Sequence, residues 1–205
     1  MRGKTHFITG SLVTATVANM VYKDSSIVPY LIGGLSALVP DLDVEKSMLS
    51  NMMYNIVCNK VKSLRKFRNS DIFRKVFITI MMGILGLMVL SEGNLYLALM
   101  FGYIAIFPYT EHRTLSHSLL SALVVSYLVM MGLNSFEGYG FIVSIYVFIG
   151  YITHLIADTL TVTGVPYLYP IITKKQRVPL MKTGSWKEFI FIGICLVIWL
   201  VAVSI

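Results

Sequence analysis

The sequence predicts an all-α, polytopic integral membrane protein with six to seven transmembrane or re-entrant helices. Three observations predict that class. Hydrophobic residues make up 56% of the 205 and charged residues only 13%, and the mean hydropathy of +0.75 is too high for a soluble domain. The apolar residues gather in seven stretches separated by short polar clusters. Basic residues concentrate in alternate connections, as expected when translocation of Lys and Arg is disfavoured.

The first stretch, 5–22, follows Arg2 and Lys4. Ala15 and Ala18 offer only a weak signal-peptide cleavage pattern, so the segment is expected to be retained together with His6. The second, 26–39, is interrupted by Gly33-Gly34 and ends at Pro40, a pattern open to a full span, a half-helix or a re-entrant segment, each of which leaves the orientation of the later stretches unchanged. The stretches 76–91 and 94–109 flank Glu92-Gly93-Asn94, a turn without basic residues. Stretch 115–133 has Thr114 or Ser116 as its capping hydroxyl. Stretch 141–160 ends in His154 and Asp158, and 189–205 contains Cys195. Cys195 and Cys58, the latter in a basic loop, lie where they cannot meet, so no disulfide is expected. No internal repeat stands out, and residues 1–205 read as one membrane-embedded domain.

The longest polar connection, 44–75, is a basic amphipathic segment. Leu49, Met52, Met53, Ile56, Val57, Val61 and Leu64 recur at three- and four-residue intervals, as on one face of a helix. Lys60, Lys62, Arg65, Lys66 and Arg68 follow, a pattern suited to anionic lipids at the inner leaflet and equally to a solvated positive-inside loop. With the N-terminus cytoplasmic, 16 of the 17 Lys and Arg lie inside and Lys23 alone outside, which puts the C-terminus outside. The net charge of +7 is therefore a topology signal, and no nucleic-acid partner is expected.

All four histidines, and three of the five aspartates, sit in polar patches at ends of apolar stretches that this orientation places on one face. His154 and Asp158, four apart, share a helix face and can bind one ion or one water. Asp41 and Asp43 follow Pro40; an extended backbone there would project both carboxylates to one side. His112 and His117 are five apart and do not share a face, so His112 is expected before the helix. Arg113 offers planar bidentate donors to a phosphate or carboxylate. Mixed imidazole and carboxylate donors suit zinc first, then manganese or iron, as one or two divalent ions. His6, Asp41, His117, His154 and Asp158 are the expected metal ligands. Asp43 and His112 complete a second ion site or orient the first, and Arg113 holds a substrate anion.

The order of His6, Pro40-Asp41-Leu42-Asp43, His112-Arg113 with Ser116-His117-Ser118, and His154 to Asp158 followed by Thr161, Thr163-Gly164 and Tyr169-Pro170 resembles the YdjM-like, LexA-regulated family of membrane-bound metal-dependent hydrolases. The resemblance spans nearly the whole chain. It implies a prokaryotic inner-membrane protein with metal-dependent hydrolase activity; an ester of a membrane lipid or a lipid-linked phosphate is the expected substrate. A weaker similarity, of His154 and Asp158 to the end of the type 2 phosphatidic acid phosphatase signature, lacks that family's Arg, whose place Phe148 takes. A metal or anion transporter is the non-enzymatic alternative, disfavoured because transporter sites usually lie near the midplane. A reporter fused after Ile205 should read periplasmic or extracellular, and one inserted within 60–68 cytoplasmic; the reverse pattern would overturn the orientation.

Overall fold

The computed structural model describes residues 1–44, 47–52, 55, 70–134 and 138–204. Its α-helices are α1 (Gly3–Tyr22), α2 (Val28–Ser36), α3 (Asp71–Ser91), α4 (Leu95–Ile104), α5 (Leu119–Leu133), α6 (Tyr139–Thr159) and α7 (Lys187–Ser204), with a helical stretch also at 48–52. They match the seven apolar stretches one for one. Three of them, α3, α6 and α7, are long and apolar enough to cross a membrane by length and composition. At nine residues α2 rises only about 13 Å, far short of the roughly 30 Å hydrocarbon core, which fits a half-helix. Leu49 and Met52 of the expected amphipathic segment are helical; most of its stripe, its basic cluster and Cys58 lie outside the described residues.

Local chemistry sets the helix ends. Lys23 takes a left-handed conformation and its N–H returns to the Asn19 carbonyl, closing α1. Pro29 sits in the first turn of α2, where a missing N–H costs nothing. The side chains of Ser70, Asn94 and Ser118 accept from Phe73, Leu97 and Ser121 N–H groups and start α3, α4 and α5. Ser118 thus replaces Thr114 or Ser116 as the cap of α5. Residues 115–117 first form a separate 3-10 turn, and helical geometry begins only after it.

Helix α1 packs on α2, α6 and α7, while α6 also meets α2 and α5, and α4 joins α3 to α5. Small residues permit the closest of these contacts. A Cβ on Gly33 of α2 would strike Thr14 and the Gly10 carbonyl of α1, and one on Gly150 of α6 would strike Ser36 and the Gly33 carbonyl. A separate apolar cluster, including Ile78, Met82, Phe107, Val125, Tyr151 and Leu155, ties α3 to α6. This packing brings the starts of α1, α3, α5 and α7 to the same end of the bundle as the finishes of α2, α4 and α6, so every histidine-bearing patch converges there.

Gly150→Ala should destabilise the protein in mild detergent by about 1–3 kcal/mol, because the new methyl meets a backbone carbonyl that cannot step aside. Gly193→Ala on α7, where a Cβ meets nothing within 4 Å, should be neutral or slightly stabilising. Equal thermal midpoints for the two variants would contradict the close α2–α6 contact.

Candidate metal centre

Four separate parts of the chain build the site. His6 comes from the second turn of α1, Asp41 and Asp43 from the 3-10 turn Pro40–Asp43, His112 to His117 from the approach to α5, and His154 and Asp158 from the last turns of α6. His6, His117 and His154 are fully buried, and Asp158 nearly so. The i, i+4 pair on α6 faces the cluster as its spacing predicts. The two aspartates do not share a side. Val39 retains helical angles and the Leu42 N–H bonds the Val39 carbonyl, so residues 40–43 coil and the extended backbone that would align the two carboxylates does not form. At three residues per turn, side chains two apart diverge.

Asp41 accordingly points toward His117 and His154, with its Oδ1 3.8 and 3.7 Å from their Nε2 atoms. Asp43 points the other way. Its Oδ1 lies 2.8 Å from Nδ1 of His112, and its Oδ2 accepts from the Ser116 hydroxyl (2.5 Å) and the Arg113 backbone N–H (3.2 Å). The same Oδ2 is 3.1 Å from Nδ1 of His117. Burial raises the proton affinity of Asp43, but hydrogen bonds from His112 and His117 outweigh it and hold the carboxyl well below the usual carboxylate range. With the folded value below the unfolded one, this stabilisation is present above the ordinary carboxylate pKa and is lost as pH falls through the depressed one.

The ring tautomers follow from these partners. Nδ1 of His154 lies 2.7 Å from the carbonyl oxygen of Ala37, which can only accept, so that nitrogen carries the proton and Nε2 holds a lone pair. Ser116 spends its proton on Asp43, so Nδ1 of His117, 2.9 Å from the hydroxyl oxygen and 3.1 Å from the carboxylate, is a donor as well. Its Nε2 is then also a lone pair. The two Nε2 atoms face each other 3.1 Å apart. Two facing acceptor nitrogens at that separation suit a shared cation, and around zinc two ligand atoms at about 2.0–2.1 Å stand close to this spacing. Oδ2 of Asp158 lies 3.8 Å from Nε2 of His117 and completes the cradle with Asp41.

Unsatisfied atoms surround the same point. Both ring nitrogens of His6 lack a hydrogen-bond partner although the residue is fully buried; its ring stacks on His154 with centroids 3.8 Å apart, and Nε2 is 3.3 Å from Oδ1 of Asp158. Asp158 Oδ2 has an ion pair with Arg113 Nη2 at 2.6 Å but no hydrogen bond of proper geometry. The Met1 amino group reaches the other oxygen of Asp158. Buried groups of this kind ordinarily have partners, and the donor set fits a divalent ion. One donor atom from each residue lies within 4.8 Å of the others in three overlapping groups: His6, Asp41 and His154; His117, His154 and Asp158; and Asp43, His112 and His117. With Nδ1 of His117 engaged by Asp43 and Ser116, only Nε2 is left to ligate, so only one of the two groups that contain it can use it.

Arg113 is buried and left-handed at φ 63°. That conformation lets its N–H bond Asp43 while its guanidinium turns back to Asp158, with Nη1 donating to Thr161 and to the Gly164 carbonyl at 3.3 Å each. Its Nε has no partner. Arg113 lines a cleft of about 390 Å³ with Asp41 and His112, the one histidine that is partly exposed. Nothing in residue type or spacing singles out the Ala37 carbonyl, Thr161 as a guanidinium acceptor, or Glu188. Glu188 accepts from Thr5 Oγ1 and the Gly184 N–H, both at 2.7 Å, and fastens the start of α1 beside His6. A lone buried acid at a helix start is the signal available in sequence.

The model of the YdjM inner membrane protein family matches residues 1–205. The chain belongs to that family. It is also 29% identical over 189 residues to the uncharacterized protein YvsG of Bacillus subtilis (strain 168), covering 92% of this chain and 85% of that one. No solved structure matches.

For this YdjM-family protein, His117→Ala and Asp158→Ala should each lower zinc affinity at least about 100-fold, and Asp43→Ala, which frees the His117 ring to turn, about 10- to 100-fold. Glu92→Ala, on an exposed turn at the opposite end, should leave affinity unchanged. Elemental analysis and competition with a chelating dye check these values; equal affinity in all four variants would remove the metal site.

Proposed function

We propose that this protein is a membrane-bound metal-dependent hydrolase acting on the ester of a membrane lipid or lipid-linked phosphate. The observation that carries the metal reading is the pair of facing Nε2 lone pairs of His117 and His154, framed by Asp41 and Asp158. His117, His154, Asp41 and Asp158 would hold the ion, and His6 lies close enough to join them. A divalent ion there supplies a lowered water pKa and a Lewis acid for a phosphoryl or acyl oxygen.

The chain's own groups supply the rest. Asp43 fixes the ring of His117 through Nδ1, the role carboxylates commonly take behind metal-binding histidines, and Ser116 braces the same contact. That use of Asp43, which engages Nδ1 of His117 and leaves only Nε2 to ligate, favours one ion over two. His112, held by Asp43 at the cleft wall, is placed to pass a proton to or from solvent. Arg113 is anchored through Nη1 to Thr161 and Gly164 and through Nη2 to Asp158, and its unpartnered Nε would meet an anionic ester group.

A lipid substrate is favoured by a second cavity. About 510 Å³ in volume and walled almost wholly by apolar residues of α2 to α6, it is within the range of small-molecule pockets. Leu42, between the two aspartates, forms part of its wall, so a chain lying in it would bring its head group toward Asp41. The site's position at the bundle end, away from the middle of the helices, argues against the transporter reading.

Arg113→Lys should retain zinc and the thermal midpoint yet lower hydrolysis of labelled phospholipid about 10-fold or more, since an ammonium lacks the planar fork that holds Thr161, Gly164 and Asp158 while a further N–H meets the ester. Full turnover in that variant would cancel the role given to Arg113. Metal-dependent ion flux in proteoliposomes without ester cleavage would replace the hydrolase by a transporter.

A further inference from the structure

The connection from α6 to α7 contains an ordered finger. Val165 and Gln176 exchange both backbone hydrogen bonds, at 3.0 and 2.9 Å, and the Gln176 side chain accepts from the Tyr167 N–H. Gly164, at φ 66°, makes the entry, where a side chain would collide with the Gln176 carbonyl. Further backbone bonds, from Val178 to Thr159 and from Met181 to Leu160, fasten the finger's returning strand to the end of α6.

What this finger presents is unusual for a surface loop. Leu168, Ile171 and Ile172 crowd its tip, with Ile171 89% exposed, and every residue of 171–180 is exposed. Lys174 and Lys175 adjoin them and engage no partner among the described residues. From residue 159 to 187 there are five basic residues and no acidic one. Clustered aliphatic groups held out to water are costly, and they mark a contact surface. The charge complements an anionic layer. The finger also springs from the end of a spanning helix and returns into another at Trp186-Lys187, where a 68% exposed indole beside an ammonium has the character of an interfacial anchor.

We propose that residues 165–176 form a lipid-binding finger that inserts Leu168, Ile171 and Ile172 among the anionic head groups of the leaflet next to the site, with Lys174 and Lys175 against lipid phosphates. The inference rests on membrane residence alone and not on the hydrolase reading. Gly164 and Thr161, at the base of the finger, hold the Arg113 guanidinium, so docking would fix the cleft at the depth of the lipid ester region.

The test is a nitroxide on Ile171→Cys, in the full chain with Cys58→Ser and Cys195→Ala, reconstituted in phosphatidylcholine vesicles with phosphatidylglycerol. Collisions with oxygen should exceed those with a water-soluble nickel chelate by at least about two-fold relative to a label at Glu92, and Lys174→Glu with Lys175→Glu should abolish the excess. A label as open to the chelate as an aqueous one would overturn the proposal. So would a label shielded from both reagents, which would mean a protein partner, or an oxygen excess indifferent to the two lysines. Because Ile171 is almost fully exposed, its substitution leaves the fold intact, and in an unlabelled chain carrying Trp199→Phe, strong quenching of Trp186 fluorescence by lipids brominated near the head group is expected, its absence counting against a docked finger base.

Discussion

Two imidazole nitrogens, each deprived of its proton by the partner of the opposite ring nitrogen, face each other across 3.1 Å in the buried end of the bundle. The Ala37 carbonyl imposes this on His154, and Asp43 with Ser116 imposes it on His117. Neither ring can rotate away cheaply. His154 lies on α6, which glycine contacts press against α2, and the 115–118 turn is clamped by Tyr151 and Ser121 hydroxyls on the Ser116 and Leu115 carbonyls. Helix packing, turn chemistry and ring tautomer therefore act together to aim lone pairs at one point.

The electrostatics follow from the same constraint. Asp41, Asp43 and Asp158 bring three carboxylates into a low-dielectric region, where charge without a partner is strongly unfavourable. Asp43 is compensated by donors from four residues, while Asp41 and Asp158 face the imidazole lone pairs with Arg113 and the Met1 amine as the cations at hand. Both cations pair with Asp158, so among the described residues Asp41 faces the imidazoles without one of its own, and a divalent ion between them would balance it. Such a division separates carboxylates that orient from carboxylates free to ligate, and it comes from the coil at Pro40–Asp43, which sends adjacent aspartates in opposite directions.

Much of this was legible in the sequence because it depends on period and polarity. Seven apolar stretches became seven helices, the short second one stayed short, and the four patches met at one end. The pair His154 and Asp158 needed only the helical repeat. What the sequence could not show depends on backbone detail. Whether Asp41 and Asp43 share a side depends on the backbone after Pro40: an extended one would align them, whereas the helical angles of Val39 carry the coil onward. Ser118 displaced Ser116 as a cap because Ser116 was needed on Asp43. A carbonyl such as that of Ala37 has no sequence signature, and the membership of the YdjM family, which covers the whole chain, names no reaction by itself.

X-ray absorption at the zinc edge of the purified, zinc-loaded protein examines the facing nitrogens directly. The expected spectrum has nitrogen and oxygen neighbours at about 2.0–2.2 Å, no sulfur, and the outer scattering of at least two imidazole rings. A zinc shell of oxygen alone, without imidazole scattering, would contradict the shared site of His117 and His154, as would a protein that retains no zinc at all.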